Sequence, residues 1–105
     1  MQIFFSEQDV IDSIAVYVAH NENKVHRSEV EVKLNTEDFK NFYAIIEFNG
    51  VEKELSEEDM IDAIIQYLEN DHNFEPGRLK GKIYFEKDEG IIADVIVQGN
   101  ISLNK

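Results

Sequence analysis

The 105-residue chain has no cysteine, no tryptophan and a single proline, and its five glycines are scattered rather than clustered. Without cysteine there is no disulfide, no thiol nucleophile and no zinc–thiolate centre. No glycine-rich turn leads into a helix, so the backbone cradle used for phosphates is missing as well. Basic residues are scarce: Lys and Arg number 10 against 22 Asp and Glu, a formal net charge of −12. That field repels phosphate backbones and anionic lipid, so neither nucleic acid nor membrane is an expected partner, whereas a basic protein would be attracted. No apolar run approaches the roughly 20 residues needed to span a bilayer. The opening Met1-Gln2-Ile3-Phe4-Phe5 has no basic start and runs straight into Ser6 and Glu7, unlike a secretion signal. Cytoplasm is the expected location.

What the chain does have is core-forming material. Hydrophobic residues make up 43% and aromatics 10%, which argues against disorder despite the charge. No linker or low-complexity stretch divides it, and its length suits one modest core, so a single domain over 1–105 is expected.

The most informative pattern emerges when the chain is slid against itself by fifty residues. Ser6-Glu7-Gln8-Asp9-Val10-Ile11-Asp12-Ser13-Ile14 then falls on Ser56-Glu57-Glu58-Asp59-Met60-Ile61-Asp62-Ala63-Ile64, and Tyr17-Val18 on Tyr67-Leu68. Convergent helix starts would explain the shared Ser-x-x-Asp, but Ile-Asp-x-Ile and the later tyrosine serve no capping purpose. A tandem duplication, 1–50 and 51–105, accounts for both.

Each matched segment has the marks of a helix start. Ser6 and Ser56 suit the N-cap, Asp9 and Asp59 complete capping boxes, and Phe5 with Val10 and Leu55 with Met60 form hydrophobic staples. The acidic first turns complement the positive end of the helix dipole. Val10, Ile11, Ile14, Tyr17 and Val18 make one apolar stripe and Met60, Ile61, Ile64, Tyr67 and Leu68 the other, with Asp12 and Asp62 opposite. Elsewhere the period changes to two. Val30 to Leu34 and Leu79 to Glu86 alternate as half-buried strands, and Phe42 to Phe48 and Ile91 to Gln98 are the return strands. Asn35 to Asn41 serves as the first connection, and Asn49-Gly50 predicts a tight hairpin into Val51 to Leu55. Met1 to Phe5 corresponds to that strand, and Gly99-Asn100 leads towards a short last strand at Ile101 to Leu103.

These elements predict an α+β fold: two tandem β-α-β-β repeats related by a pseudo-two-fold axis, with both helices on one face of a shared, mainly antiparallel sheet. Period two then places Tyr43, Ile45, Tyr84, Ile92 and Ile96 on the other face, which is too apolar for free exposure. The pattern points to a homodimer packed sheet to sheet or edge to edge, unless the fold closes on itself.

Chemical motifs are sparse. His20, His26 and His72 are the candidate metal ligands, with Glu22, Asp71 and Glu75 nearby, but their spacing matches neither His-Glu-x-x-His nor a zinc finger. A histidine at a helix C-terminus is also favoured by the dipole alone. Asp71-His72-Asn73-Phe74-Glu75 alternates oxygen ligands as a calcium loop does, yet Pro76 stands where glycine is required and Lys82 where glutamate is. Ser6 and Ser56 are caps rather than nucleophiles. No catalytic set and no cofactor is implied.

The segment Phe4-Phe5-Ser6-Glu7-Gln8-Asp9-Val10-Ile11-Asp12-Ser13-Ile14, followed by Tyr17-Val18, resembles the opening of the YxcD-like family, small uncharacterised proteins of Bacillus type. The resemblance implies a bacterial, cytosolic origin and carries no activity and no functional residues. The sequence therefore points to a non-enzymatic module that associates with itself or with another protein, the alternative being a ligand or metal site, or an enzyme, in a groove between the repeats.

Overall fold

The computed structural model describes residues 1–22 and 25–98. Its elements are β1 (Gln2–Phe5), α1 (Glu7–Asn21), a 3-10 turn (Arg27–Glu29), β2 (Glu31–Glu37), β3 (Asn41–Phe48), β4 (Val51–Ser56), α2 (Glu57–Asp71), β5 (Leu79–Glu86) and β6 (Gly90–Val97). Both helices begin on the predicted capping boxes. Ser6 Oγ accepts from the Asp9 N–H at 3.1 Å while the Asp9 carboxylate accepts from the Ser6 N–H at 3.0 Å, and Ser56 and Asp59 do the same at 3.2 Å each. Each box satisfies two of the donors that a helix start leaves unpaired. After α2 the chain turns through Asn73 at φ +59°, the left-handed position that commonly ends a helix.

The fold is α+β, as the element pattern predicts, but its strands form two antiparallel sheets rather than one shared layer. Their orders are β1-β6-β5 and β2-β3-β4. Each sheet contains a hairpin from one half of the chain and the first strand of the other: β1 joins β6, and β4 joins β3. The registers correspond row by row. Phe5 faces Ala93 as Leu55 faces Ala44, and Ile83 faces Ala93 as Leu34 faces Ala44.

What unites the sheets is the helix layer. α1 packs on β6 and β2, α2 packs on β5 and β3, and the two helices pack on each other. One continuous cluster runs through Phe5, Val10, Ile14, Phe42, Ala44, Ile46, Met60, Ile64, Ile83, Ala93 and Val95. Burial of such side chains contributes about 1.5–3 kcal/mol each, which makes this shared layer the main source of stability. At the rim, the turn after β2 sets Phe39 against Phe85 of the other sheet, ring centroids 4.6 Å apart.

Three local expectations need correction. β2 runs on to Glu37, so the first connection is only the short turn before Asn41. Asp38 and Phe39 in that turn adopt φ of +55° and +56°, and Thr36 Oγ1 donates to the Asn41 carbonyl at 2.9 Å. The segment before β2, for which no element was expected, holds a 3-10 turn. The buried face of α1 includes Ser13, whose hydroxyl donates to the Val10 carbonyl at 2.9 Å, whereas Ile11 and Tyr17 are only half-buried. The turn at Gly99-Asn100 and the last strand at 101–103 lie outside the described residues.

Candidate functional site

The three histidines do not converge. His20, on the last turn of α1, shares an open cavity of about 290 Å³ with His26, Arg27 and Asp71. His72 lies just beyond α2 and lines a different cavity. His26 is committed to local structure. Its Nδ1 accepts from the Ser28 N–H at 3.2 Å while its own backbone N–H donates to Glu29 Oε1 at 2.8 Å, which caps the 3-10 turn. Among the described residues no group of three or more His, Asp or Glu side chains is placed to hold a metal.

The outer faces of the two sheets, turned away from the helices, differ sharply in charge. On β2-β3-β4, Glu31, Glu47 and Glu52 lie directly opposite one another across the three strands, all exposed. Like charges facing across strands destabilise a sheet. The same row of β1-β6-β5 is occupied by Lys80, Ile96 and Gln2. Ile96 is 52% exposed and Phe4, diagonal to it on this face, is 51% exposed, with Lys82 beside them in the next row.

Of the residues expected on the free faces, Ile96 is exposed and Tyr43, Ile45 and Tyr84 are half-buried. Ile92 is only 2% exposed and has no surface to offer a partner. The Tyr84 hydroxyl donates to Asp94 Oδ2 at 2.8 Å. That bond to a carboxylate holds the phenol above its ordinary ionisation range, with burial adding to the shift. Tyr17 is raised too, first by burial and then by Asp59 and Asp62 on the other helix.

The second cavity is a groove of about 420 Å³ running beside β1 and the end of α2. Ile3, Phe5, Leu68 and Phe74 supply apolar wall, Asp9 and Asp12 supply carboxylates from α1, and Tyr67 and His72 stack edge to face at 4.9 Å. A groove between the repeats was the alternative expected from the sequence, with His72 as a candidate, but its apolar wall, Asp9, Asp12 and the exposed Phe4 were not foreseen. A signal for the groove was present where the two halves differ: Ile3 corresponds to Lys53 and His72 to Glu22. In the other half Lys53 Nζ meets Glu22 Oε2 at 3.3 Å and sits 5.7 Å from the centre of the Phe48 ring.

Two capped amphipathic helices laid across a pair of three-stranded antiparallel sheets, with no recognisable catalytic constellation among the described residues, define a small α+β protein of a class without assigned chemistry. Comparison with known proteins agrees. Residues 1–88 match the family described as "Protein of unknown function (DUF2653)", and the chain belongs to that family. It is 36% identical over 98 residues to the uncharacterised protein YxcD of Bacillus subtilis (strain 168), covering 92% of this chain and 95% of that protein. No solved structure matches. No helix among the described residues is long and apolar enough to cross a membrane.

Proposed function

We propose that this is a non-enzymatic cytoplasmic module that associates with a second copy of itself, outer sheet face to outer sheet face. The observation that supports this reading is the contrast at equivalent rows: Glu31, Glu47 and Glu52 on one sheet against Lys80, Ile96 and Gln2 on the other. If the β1-β6-β5 face of one copy lies on the β2-β3-β4 face of its partner, Lys80 and Lys82 meet the glutamate row and relieve its repulsion. Ile96 and Phe4 are covered in the same step, against Tyr43 and Ile45. A two-fold axis makes the contact twice and closes the assembly. Charge pairing then fixes orientation and partner choice, and the apolar residues supply the attraction. The tandem duplication fits this picture, because a surface shared by two ancestral copies need diverge in charge at only a few positions to become complementary.

The test is the mass of the purified full chain by sedimentation velocity over a range of concentrations. A dimer is expected, weakened by salt and broken by Lys80→Glu with Lys82→Glu. Glu31→Lys with Glu47→Lys breaks it too, and mixing the two variants restores a mixed dimer. A monomer at every concentration, or a dimer indifferent to both pairs of substitutions, overturns the proposal.

A further inference from the structure

The two halves of the chain fill equivalent spaces differently. In one, the space between β4 and the end of α1 is spanned by the chain itself, where Lys53 reaches Glu22 and forms an ion pair at 3.3 Å. The corresponding positions beside β1 and the end of α2 are Ile3 and His72. Neither can make that bridge, and there the groove stands open at about 420 Å³, within the range of ordinary small-ligand sites.

The open groove keeps the two features that suit a side chain such as lysine. Its floor is apolar, with Phe5 and Leu68 each 4% exposed, and its rim carries the carboxylates of Asp9 and Asp12. Asp9 uses one oxygen on the Ser6 N–H and Asp12 uses one on the Gln8 amide, and both side chains reach the surface. Each therefore has an oxygen free to accept from a cation. Among the described residues no lysine or arginine lines the groove. The overall charge of −12 adds a field that concentrates cations and excludes anions.

We infer that this groove is a binding site for a small amphipathic amine, a primary ammonium group on an apolar body. The body lies on Ile3, Phe5, Leu68 and Phe74 and the ammonium group is held at Asp9 and Asp12. The ligand takes the place in this half that the Lys53 side chain takes in the other. The inference does not need self-association: it rests on the groove, and of the outer-face residues named above only Phe4 borders it.

Octylammonium, octanoate and 1-octanol share one tail and differ only in the head group, and they separate the possibilities. Titrated into the full-length protein and followed by amide NMR shifts and calorimetry, octylammonium is expected to shift Ile3, Leu68 and Phe74. It should bind at least about tenfold more tightly than octanoate, as a charge-assisted contact implies. Asp12→Asn, which leaves the capping box intact, should lower amine affinity roughly five- to tenfold and leave octanol unaffected. Ile3→Lys, which installs the other half's own filler, should abolish binding. Equal affinity for the three probes, shifts confined to the glutamate row of the outer face, or no binding of the amine to the unaltered chain overturns the inference.

Discussion

Glu7 and Ile91 lie 84 positions apart, and the Glu7 carboxylate accepts the Ile91 N–H at 3.1 Å. The same arrangement recurs in the other half, where Glu57 accepts the Phe42 N–H at 3.4 Å. In each case the first residue of a helix reaches the start of a return strand contributed by the opposite half of the chain. These two carboxylates therefore tie the halves together where the hydrophobic layer ends. Replacing Glu7 with alanine leaves the part-buried Ile91 amide short of a partner and should cost about 1–2 kcal/mol in urea unfolding, whereas Glu58→Ala, in the first turn of α2, should cost under about 0.5 kcal/mol.

Gly90 sits under the same carboxylate. Its φ is +87°, and a Cβ there would stand 2.6 Å from Glu7 Oε2. Gly90→Ala combines left-handed strain of about 1–2 kcal/mol with displacement of the Glu7 side chain. In a Glu7→Ala background only the strain remains. The double-mutant cycle should show the two changes costing less together than the sum of the separate losses.

Ser13 is fully buried yet expendable. Its hydroxyl donates to the Val10 carbonyl, an acceptor the helix already employs. The equivalent position in α2 is Ala63, also fully buried. Ser13→Ala should change the unfolding free energy by no more than about 0.5 kcal/mol in either direction, unlike Ile14→Ala beside it, which should cost about 2–5 kcal/mol. A loss above about 1.5 kcal/mol for Ser13→Ala would point to a tertiary role for the hydroxyl.

Tyr17 reports on the packing of the two helices. Burial and the charges of Asp59 and Asp62 raise its ionisation above the usual phenol range. A phenol whose folded pKa exceeds its unfolded value binds its proton more tightly when folded. It weakens the fold progressively as pH rises from the unfolded value through the folded one, and leaves stability untouched below that window. Asp62→Asn removes one repelling charge, so Tyr17 should titrate at lower pH, followed by the ring-carbon NMR signal. It should still lie above an exposed tyrosine, because burial remains. No movement would mean that the Asp62 charge does not reach α1.

Much of the architecture was legible along the chain because its signals are local. Ser6 with Asp9 and Ser56 with Asp59 announced both helices, and the alternation that turns Tyr43, Ile45 and Ile96 away from the helices leaves Ala44, Ile46, Ala93 and Val95 buried beneath them. The candidate site was less legible. Ile92 follows the same alternation as Ile96, yet one is buried and the other exposed, a distinction period two cannot draw. Of the histidines, His20 and His26 share one cavity, where His26 is committed to capping the 3-10 turn, while His72 follows α2 and lines another.

What the sequence alone determined was the identity and limits of most elements, the buried stripe of each helix, the acidic field and the correspondence of the two halves. All of these depend on residues within a few positions of one another, on composition or on simple self-alignment. The Asn49-Gly50 hairpin that lays β4 on β3 was legible in the chain, whereas the tertiary structure alone decided that β1 would cross to β6, so that each sheet takes strands from both halves. It also decided that the helices would bridge two sheets instead of covering one, and that a groove would stand beside Ile3 where the other half sets the Lys53–Glu22 ion pair. Those outcomes turn on hydrogen-bond pairing and side-chain reach between segments far apart in the chain, which no local pattern of apolar and polar residues encodes.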